Sequence, residues 1–269
     1  MEVLNYLPKK ELEDYEDFLA FVGIYDDKRR IRAYVSWLRR LEGFIKDKVC
    51  VEAGAGFGVF ARELLRLGAR KVYAIEENPL MLRLLKKWFS SEDRVVIIDG
   101  RVENFVPDEG RVDFMVQEFY GPLLYDESLF VLERLPFPVG YLFPNGGRLL
   151  FGYAWREDYA DASITLDVIE QLNGVLVADL FPRYYQAFEG VALEWNWSDG
   201  LLGDSVQIDP SRGDLLVFGV ELLHSGRRVC RAGWCTNWPI VWTPVAGLSF
   251  EFDFVEKDGI MIPIFQWAC

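Results

Sequence analysis

The stretch from residue 48 to residue 119 alternates between apolar strands and amphipathic helices, and this alternation restricts the fold more than any other feature of the chain. The strand candidates read KVCVEAG, KVYAIEE, RVVIIDG and RVDFMVQEF, and helices are predicted over Val59 to Leu67 and Pro79 to Phe89. Strands that alternate with helices form parallel sheets covered by those helices. The sequence therefore predicts a doubly wound, Rossmann-like α/β sheet.

Helices are predicted before this sheet and short strands after it. Apolar residues recur at three- and four-residue spacing over residues 11 to 41, with an interruption at Gly23. After Gly146-Gly147 the pattern changes to β-rich runs separated by Gly, Asp and Pro, with one predicted helix from Ser163 to Leu172. The expected organisation is N-terminal helices over 1–45 that cover a cofactor site, a Rossmann-like domain over 46–146, and a mostly antiparallel, β-barrel-like substrate domain over 147–269 with a helical arm near 160–185.

The composition is that of a globular protein, with 51% hydrophobic residues. The sequence contains no apolar run long enough to span a membrane, and the acidic N-terminus is unlike a signal peptide, so we expect a cytoplasmic protein without membrane association. The net charge of −13 disfavours nonspecific nucleic-acid binding and favours cationic partners, although acidity also serves solubility alone.

The cysteines and the histidine do not form a recognisable metal motif. No cysteine pair has C-x-x-C spacing and His224 is the only histidine, so no metal is expected. A reduced compartment is the simpler assumption, although Cys230 and Cys235 can pair if they lie on adjacent backbone. The four cysteines are Cys50, Cys230, Cys235 and Cys269.

A glycine-rich turn, Glu52-Ala-Gly54-Ala-Gly56-Phe-Gly58, follows the first strand and precedes a helix. Such a turn lets the backbone approach a nucleotide-bearing ligand closely. Its spacing departs from the G-x-G-x-x-G dinucleotide pattern, because residue 59 is Val. The next strand ends at Glu76, where a carboxylate can accept both ribose hydroxyls, and the adjacent Glu77 is its main rival.

The stretch from Gln117 to Ser128, QEFYGPLLYDES, places two glutamates in one predicted loop. Two carboxylates brought together in this way form a fork suited to a guanidinium group. The competing interpretation is that Glu118 and Glu127 are solvated surface charges, as most glutamates are, and spacing alone favours it.

This stretch resembles the "double-E" hairpin of the protein arginine methyltransferases, typically S-E-W-M-G-Y-x-L-x-x-E-S. Both glutamates, Gly121 and Ser128 are in register. The residues that depart from the pattern are Gln117, Phe119, Tyr120 and Pro122. The glycine turn is similar to the E/D-x-G-x-G-x-G motif of class I S-adenosylmethionine methyltransferases. The resemblance is densest from Asp47 to Pro144 and indicates a short, divergent member of the family.

The resemblance implies an S-adenosylmethionine-dependent enzyme that methylates a guanidinium nitrogen of arginine in a protein or peptide. Glu118 and Glu127 would be the catalytic residues, and Arg30 would bind the cofactor's carboxylate, with Arg32 close enough to compete. The other cofactor-binding residues implied are Glu52, Gly54, Gly56, Gly58, Glu76, Val102 and Glu103. Within the family such proteins form dimers, which leaves a homodimer open here.

A late Thr236-Asn237-Trp238 resembles the family's T-H-W loop, which closes over the arginine pocket. Tyr120, Asn237 and Trp238 would therefore bind substrate. Asn237 stands where histidine is usual, and an asparagine can neither carry charge nor relay a proton. This substitution keeps open a non-catalytic module that binds S-adenosylmethionine and an arginine-bearing partner.

Two further alternatives belong to other classes. One is a methyltransferase that acts on a small molecule or on another residue type, which the paired glutamates speak against. The other is a nucleotide-dependent oxidoreductase, which the glycine spacing disfavours. The sequence does not determine the substrate, the degree or symmetry of methylation, or the oligomeric state.

Overall fold

The chain divides into two compact units in the computed structural model, which describes residues 8–158, 165–172, 174–178, 185, 187–235 and 238–268. The first unit comprises Met1–Glu118 and Leu135–Phe143, and the second comprises Phe119–Arg134 and Pro144–Cys269. Residues 119–134 thus lie within the range 46–146 predicted for the Rossmann-like domain but belong to the second unit. The reason is that their side chains pack there, with the Tyr125 ring edge-on to Phe254 and Arg134 ion-paired to Glu256.

The first unit is built on a parallel five-stranded sheet of order β3-β2-β1-β4-β5. β1 is buried along its whole length, as expected of a strand covered by helices on both faces. The doubly wound α/β prediction is confirmed. The strands are β1 (Val49–Ala53), β2 (Lys71–Glu76), β3 (Val95–Asp99), β4 (Phe114–Gln117) and β5 (Leu142–Phe143).

The described part of this unit contains five α-helices, of which α4 packs on β1 and β2 while α5 packs on β3. They are α1 (Lys9–Asp26), α2 (Lys28–Arg40), α3 (Glu42–Ile45), α4 (Val59–Arg66) and α5 (Pro79–Trp88). The break between α1 and α2 falls at Asp27, not at Gly23 as the sequence predicted. The Asp27 side chain accepts a hydrogen bond from the Arg30 N–H and caps α2, whereas Gly23 continues α1.

The second unit is mostly antiparallel and consists of a seven-stranded and a three-stranded sheet. The larger sheet has the order β7-β13-β11-β6-β8-β9, with β12 paired to β11, and the smaller has the order β10-β14-β15. The strands are β6 (Gly146–Ala154), β7 (Val177–Ala178), β8 (Phe188–Asn196), β9 (Gly200–Gly203), β10 (Val206–Gln207), β11 (Leu215–His224), β12 (Arg227–Arg231), β13 (Val241–Pro244), β14 (Ser249–Lys257) and β15 (Ile260–Ala268).

Aromatic rings form the core between these two sheets. Phe218 on β11 lies edge-on to Phe250 and Phe252 on β14, with ring centroids 5.4 and 5.1 Å apart. Within the predicted arm, α6 (Leu166–Gln171) falls inside the predicted helix, whose first two residues lie outside the described part of the chain. Among the described residues, no helix is both long enough and apolar enough to span a bilayer.

The structure joins Cys230 and Cys235 in a disulfide, the pairing that the sequence left open. The turn after β12 brings the two residues within reach, because the Cys235 N–H donates to the Arg231 carbonyl and the Cα atoms lie 6.5 Å apart. Cys50 is buried as a free thiol.

Candidate active site

The direction of the strand order in the first unit reverses between β1 and β4. From β1 the chain proceeds outward to β2 and β3, then returns to place β4 on the other side of β1. In open parallel sheets, ligands bind at the carboxyl ends of the strands at such a reversal. Here the glycine turn follows β1 and Glu118 follows β4 directly, so the fold places both predicted motifs at the expected edge.

The glycine turn adopts backbone conformations that favour glycine. Gly54, Gly56 and Gly58 have φ angles of 68°, 50° and 63°. A Cβ added at Gly56 would lie 2.5 Å from the Tyr25 hydroxyl, and one at Gly58 would lie 2.8 Å from the Leu85 side chain. Steric exclusion and left-handed backbone together explain why glycine occupies these positions.

Glu52 lies beneath the glycine turn. Its two carboxylate oxygens accept hydrogen bonds from the Phe60 and Ala61 N–H groups, at 3.1 and 2.7 Å, and so cap the first turn of α4. Burial raises the pKa of Glu52 to about 8, against the opposing effect of those two amide bonds. Glu52 would therefore contribute to cofactor binding indirectly, by stabilising the helix start that follows the glycine turn.

Glu76, the predicted ribose ligand, lies directly against the glycine turn. One carboxylate oxygen accepts from the Gly56 N–H at 2.7 Å, and the other accepts from the N–H groups of Glu77 and Asn78. The rival Glu77 is exposed. These bonds fix the Glu76 carboxylate at the edge of the sheet where a ribose is expected.

The segment after β3 is attached to the same edge. The Gly100 N–H donates to the Glu76 carbonyl at 2.9 Å, which brings Val102 and Glu103 toward the predicted ribose ligand. Val102 is buried in a short 3-10 helix, whereas Glu103 is half-buried and ion-paired to Arg101 at 2.6 Å. Both residues, which the resemblance implies as cofactor-binding, thus follow β3 at the edge of the sheet that carries Glu76.

Arg30 is ion-paired to Glu118, and only 2% of Arg30 is exposed. Its Nη2 donates to the Ile24 carbonyl at 2.8 Å, while its buried Nε has no hydrogen-bond acceptor among the described residues. A buried donor without an acceptor is costly, and an incoming carboxylate would satisfy it. Arg32, the competing candidate, is exposed.

Glu118 experiences two opposing influences. Burial raises the pKa of its carboxyl above the ordinary range, and the Arg30 guanidinium partly opposes that rise. Burial is the largest cause of the shift in the pKa of Glu118.

The loop that carries Glu127 belongs to the second unit and is tightly folded. The Leu124 N–H donates to the Gly121 carbonyl, and Asp126 accepts from the Leu123 N–H at 3.1 Å. A Cβ added at Gly121 would lie 2.0 Å from an Asp126 oxygen and 2.9 Å from Glu127. Glycine at this position therefore allows the close approach of Asp126 and Glu127, and Glu127 itself is exposed.

Two predicted substrate residues meet in the second unit. The Trp238 Nε1–H donates to the Tyr120 carbonyl at 3.2 Å, and the Tyr120 hydroxyl donates to the Gly146 carbonyl at 3.2 Å. Both side chains are buried, so their polar groups hold the glutamate-bearing loop in place. Asn237 lies outside the described residues.

Sequence reasoning did not single out Tyr25, near the end of α1. Its hydroxyl donates to the Ala55 carbonyl at 3.1 Å and accepts from the Phe57 N–H at 3.3 Å. The signal available in the sequence was its position directly after Val22-Gly23-Ile24, which weakly resembles a stretch found in the arginine methyltransferases. Helical spacing alone gives no reason to expect the contact with the glycine turn.

No protein-family model matches the chain. Over 179 residues the chain is 28% identical to the "Probable protein arginine N-methyltransferase 6.1" of Oryza sativa subsp. indica. This alignment covers 62% of the chain and 46% of that relative. The chain is also 28% identical over 187 residues to the "Probable protein arginine N-methyltransferase 6" of Arabidopsis thaliana, covering 65% of this chain and 42% of that protein. The chain spans about half the length of the curated relatives it matches.

Solved structures with similar folds cover nearly all of the chain. A crystal structure of PRMT6 aligns with a TM-score of 0.67 at 14% identity, over 94% of this chain and 99% of that one. The Trypanosoma brucei PRMT1 enzyme-prozyme heterotetrameric complex with AdoHcy aligns with a TM-score of 0.63 at 15% identity, over 91% and 96%. At these identities the alignments establish the fold. The chain is thus similar to protein arginine methyltransferases in sequence, through the curated relatives, and in fold, through the solved structures.

Proposed function

We propose that this chain is an S-adenosylmethionine-dependent methyltransferase that transfers a methyl group to a guanidinium nitrogen of arginine in a protein or peptide. The observation that carries the proposal is the ion pair between buried Arg30 and half-buried Glu118, at the strand edge that also holds the glycine turn. It places a carboxylate suited to a guanidinium beside a cation suited to the cofactor's carboxylate. The names of the curated relatives support the same activity.

The cofactor would be held by residues of the first unit. Arg30 would bind its carboxylate through the donor that lacks an acceptor, and Glu76 would accept from the ribose hydroxyls. Val102 and Glu103 would border the adenine, and the glycine turn would lie against the methionine part. When bound, S-adenosylmethionine supplies a methyl group on a positively charged sulfur.

Glu118 and Glu127 would bind and orient the substrate guanidinium. An arginine remains charged in proteins, and its delocalised lone pairs make it a poor nucleophile. Charge-assisted hydrogen bonds to the two carboxylates, worth roughly 1.5 to 3 kcal/mol each, would concentrate positive charge away from the attacking nitrogen. Glu127 would then accept the proton that this nitrogen releases. Alignment and exclusion of water dominate such a displacement.

Several broader expectations belong to the same proposal. The N-terminal helices would cover the cofactor site, and the second unit would bind substrate as a barrel-like domain. The net charge of −13 suits a cationic, arginine-rich partner. A cytoplasmic location and a homodimer remain expectations from the sequence and the family resemblance.

The decisive experiment combines purified protein, arginine-rich peptides and isotopically labelled S-adenosylmethionine, with methylarginine detected by mass spectrometry. Glu118→Gln and Glu127→Gln should each nearly abolish transfer, because each removes one charge of the fork, while cofactor affinity measured by calorimetry stays within a few fold. Glu133→Gln is the matched control. It removes the same charge from an exposed residue of the stretch Phe119–Arg134, and the variant should transfer methyl groups normally.

The other outcomes discriminate between the alternatives. Label on a small molecule or on another residue type would refute the arginine assignment and retain the methyltransferase fold. If the cofactor binds but no label moves, the non-catalytic module becomes the better interpretation, in keeping with Asn237 in place of histidine. Equal loss of cofactor binding in the two glutamine variants would contradict the division between substrate and cofactor residues.

A further inference from the structure

The junction between α1 and α2 touches both halves of the proposed cofactor site within the first unit. Tyr25 bonds to the glycine turn on one side, and the neighbouring Ile24 carbonyl accepts from Arg30 on the other. Asp27 then caps the helix from which Arg30 projects. A segment of seven residues, from Ile24 to Arg30, therefore connects the turn after β1 with the ion pair of Glu118.

The contact of Tyr25 with the turn is specific. Its hydroxyl bridges the Ala55 carbonyl and the Phe57 N–H, the two peptide groups that flank Gly56. Its ring lies 4.8 Å from the Phe57 ring, measured between centroids. Both the hydroxyl and the ring therefore restrain the same three residues of the turn.

The opposite side of Gly56 is restrained as well. The Gly56 N–H donates to Glu76, the proposed ribose ligand, at 2.7 Å. Gly56 is held between two side chains, and the tyrosine fits only because residue 56 lacks a Cβ. A turn restrained from both sides is preorganised, and preorganisation lowers the ordering cost that binding would otherwise carry.

We infer that Tyr25 is a positioning residue for the proposed cofactor: its hydroxyl fixes the glycine turn and ties that turn to the helix junction that presents Arg30. The inference rests on the proposed function. Tyr25 acts through the turn and the junction, and needs no contact with the reacting atoms. It follows that cofactor binding and the docking of α1 are thermodynamically coupled.

The test is the affinity of S-adenosylhomocysteine, measured by titration calorimetry. Tyr25→Phe keeps the ring and removes only the bridging hydroxyl, so its dissociation constant should rise about tenfold, as expected for the loss of two hydrogen bonds. Tyr73→Phe is the matched control. Tyr73 is a buried tyrosine of β2 whose hydroxyl bonds to Lys71 and Glu109, and its loss should change the dissociation constant less than twofold.

A second measurement uses the unaltered protein and does not depend on whether the variant folds. Hydrogen exchange should slow in the peptide that spans Ile24 to Arg30 when S-adenosylhomocysteine saturates the site, because ligand and junction stabilise each other. In methyl-transfer assays with Tyr25→Phe, the KM for S-adenosylmethionine should rise more than kcat falls. A general loss of structure would not produce that separation.

The failures of the two ideas are distinguishable. Equal affinities for Tyr25→Phe and Tyr73→Phe, or unchanged exchange at the junction on saturation, would overturn the positioning role and leave the proposed function standing. No binding of S-adenosylhomocysteine by the unaltered protein would overturn both. Tight binding without methylation of arginine would refute the proposed activity alone, since the role of Tyr25 concerns only the cofactor.

Discussion

Among single residues, burial raises the pKa of two acids near the proposed cofactor site, Glu52 and Glu118. Glu52 is 1% exposed, and burial raises its pKa to about 8. Glu118 is shifted in the same direction for the same reason, but Arg30 opposes the shift. Glu118 thus has an ion-paired counter-charge, whereas the carboxylate of Glu52 is hydrogen-bonded to backbone amides and is influenced less by the charges of Glu76 and Arg62.

Glu52 provides a prediction about stability and pH. Its pKa is about 8 in the folded protein and near its ordinary value of 4.5 in the unfolded chain, so the folded state binds the extra proton between those values. Stability must then fall as pH rises through that window. Glu52→Gln removes this dependence, so relative to the unaltered protein the variant should gain on the order of 3 kcal/mol between about pH 5 and about pH 8.

Chemical denaturation at a series of pH values measures this difference. Glutamine can accept from only one of the two α4 amides, so the loss of the other bond lowers the free energy of unfolding of the variant by a constant amount at every pH. The quantity to compare is therefore the change in the free energy of unfolding with pH. Glu77→Gln, an exposed neighbour of the same sheet edge, serves as the control. Parallel stability curves for Glu52→Gln and the unaltered protein would show that Glu52 is ionised in the folded state.

At the scale of structural elements, the glutamate-bearing loop depends on a hydrogen bond from a distant part of the second unit. Trp238→Phe keeps an aromatic ring but removes the Nε1–H that binds the Tyr120 carbonyl. Loss of a buried bond of this kind costs about 1 kcal/mol or more, so the KM for arginine peptides should rise about fivefold. Affinity for S-adenosylhomocysteine should not change, because the proposed cofactor ligands belong to the first unit.

The control for this variant is Trp234→Phe, which alters an exposed tryptophan of the neighbouring turn. Peptide kinetics and cofactor calorimetry on both variants test the prediction. A rise in the cofactor dissociation constant that matches the rise in KM would mean that Trp238 supports the protein as a whole and not the loop.

Elements governed by local signals were predictable from the sequence. Helix α5 begins with Pro79 after the capping Asn78, and the predicted range ended one residue beyond its end. The break between α1 and α2 was misplaced because a glycine was weighted above an aspartate that caps the next helix. The two-residue strands β5, β7 and β10 were missed, because two residues carry no periodicity and each strand pairs with residues distant in the chain.

The residues of the site likewise divide into those that local sequence signals identified and those that depend on tertiary packing. Motif spacing found the glycine turn, Glu76 and Glu118, whose positions follow from strand ends. Motif spacing did not decide between Arg30 and Arg32. Only the packing of α2 distinguishes them, because it buries Arg30 and leaves Arg32 exposed. Tyr25 was not identified at all, since its partners lie 30 and 32 residues away in the chain.

At the scale of the whole molecule, the double-E motif straddles two compact units. Glu118 is the last residue of the first unit before the chain enters the second at Phe119, and Glu127 belongs to the second. The sequence placed residues 46–146 in one domain, because strand periodicity says nothing about which core a following loop joins. One short stretch thus contributes residues to both units.

The net charge of −13 yields a prediction about substrate choice that no single residue would give. Long-range attraction favours encounter with cationic chains and weakens as salt shortens the screening length, from about 30 Å at 0.01 M to about 3 Å at 1 M. The value of kcat/KM should therefore fall more steeply with added salt for a peptide with many arginines than for one whose only charge is the target arginine.

Steady-state kinetics over that salt range compare the two peptides with the same enzyme. Both peptides present the same group to the glutamates, so their short-range contacts weaken alike and only the long-range term differs. A steeper slope for the polycationic peptide would assign the acidic composition a role in recruiting substrate. Equal slopes would mean that recognition is confined to the target arginine and that the excess of acidic residues serves solubility, the alternative that composition alone left open.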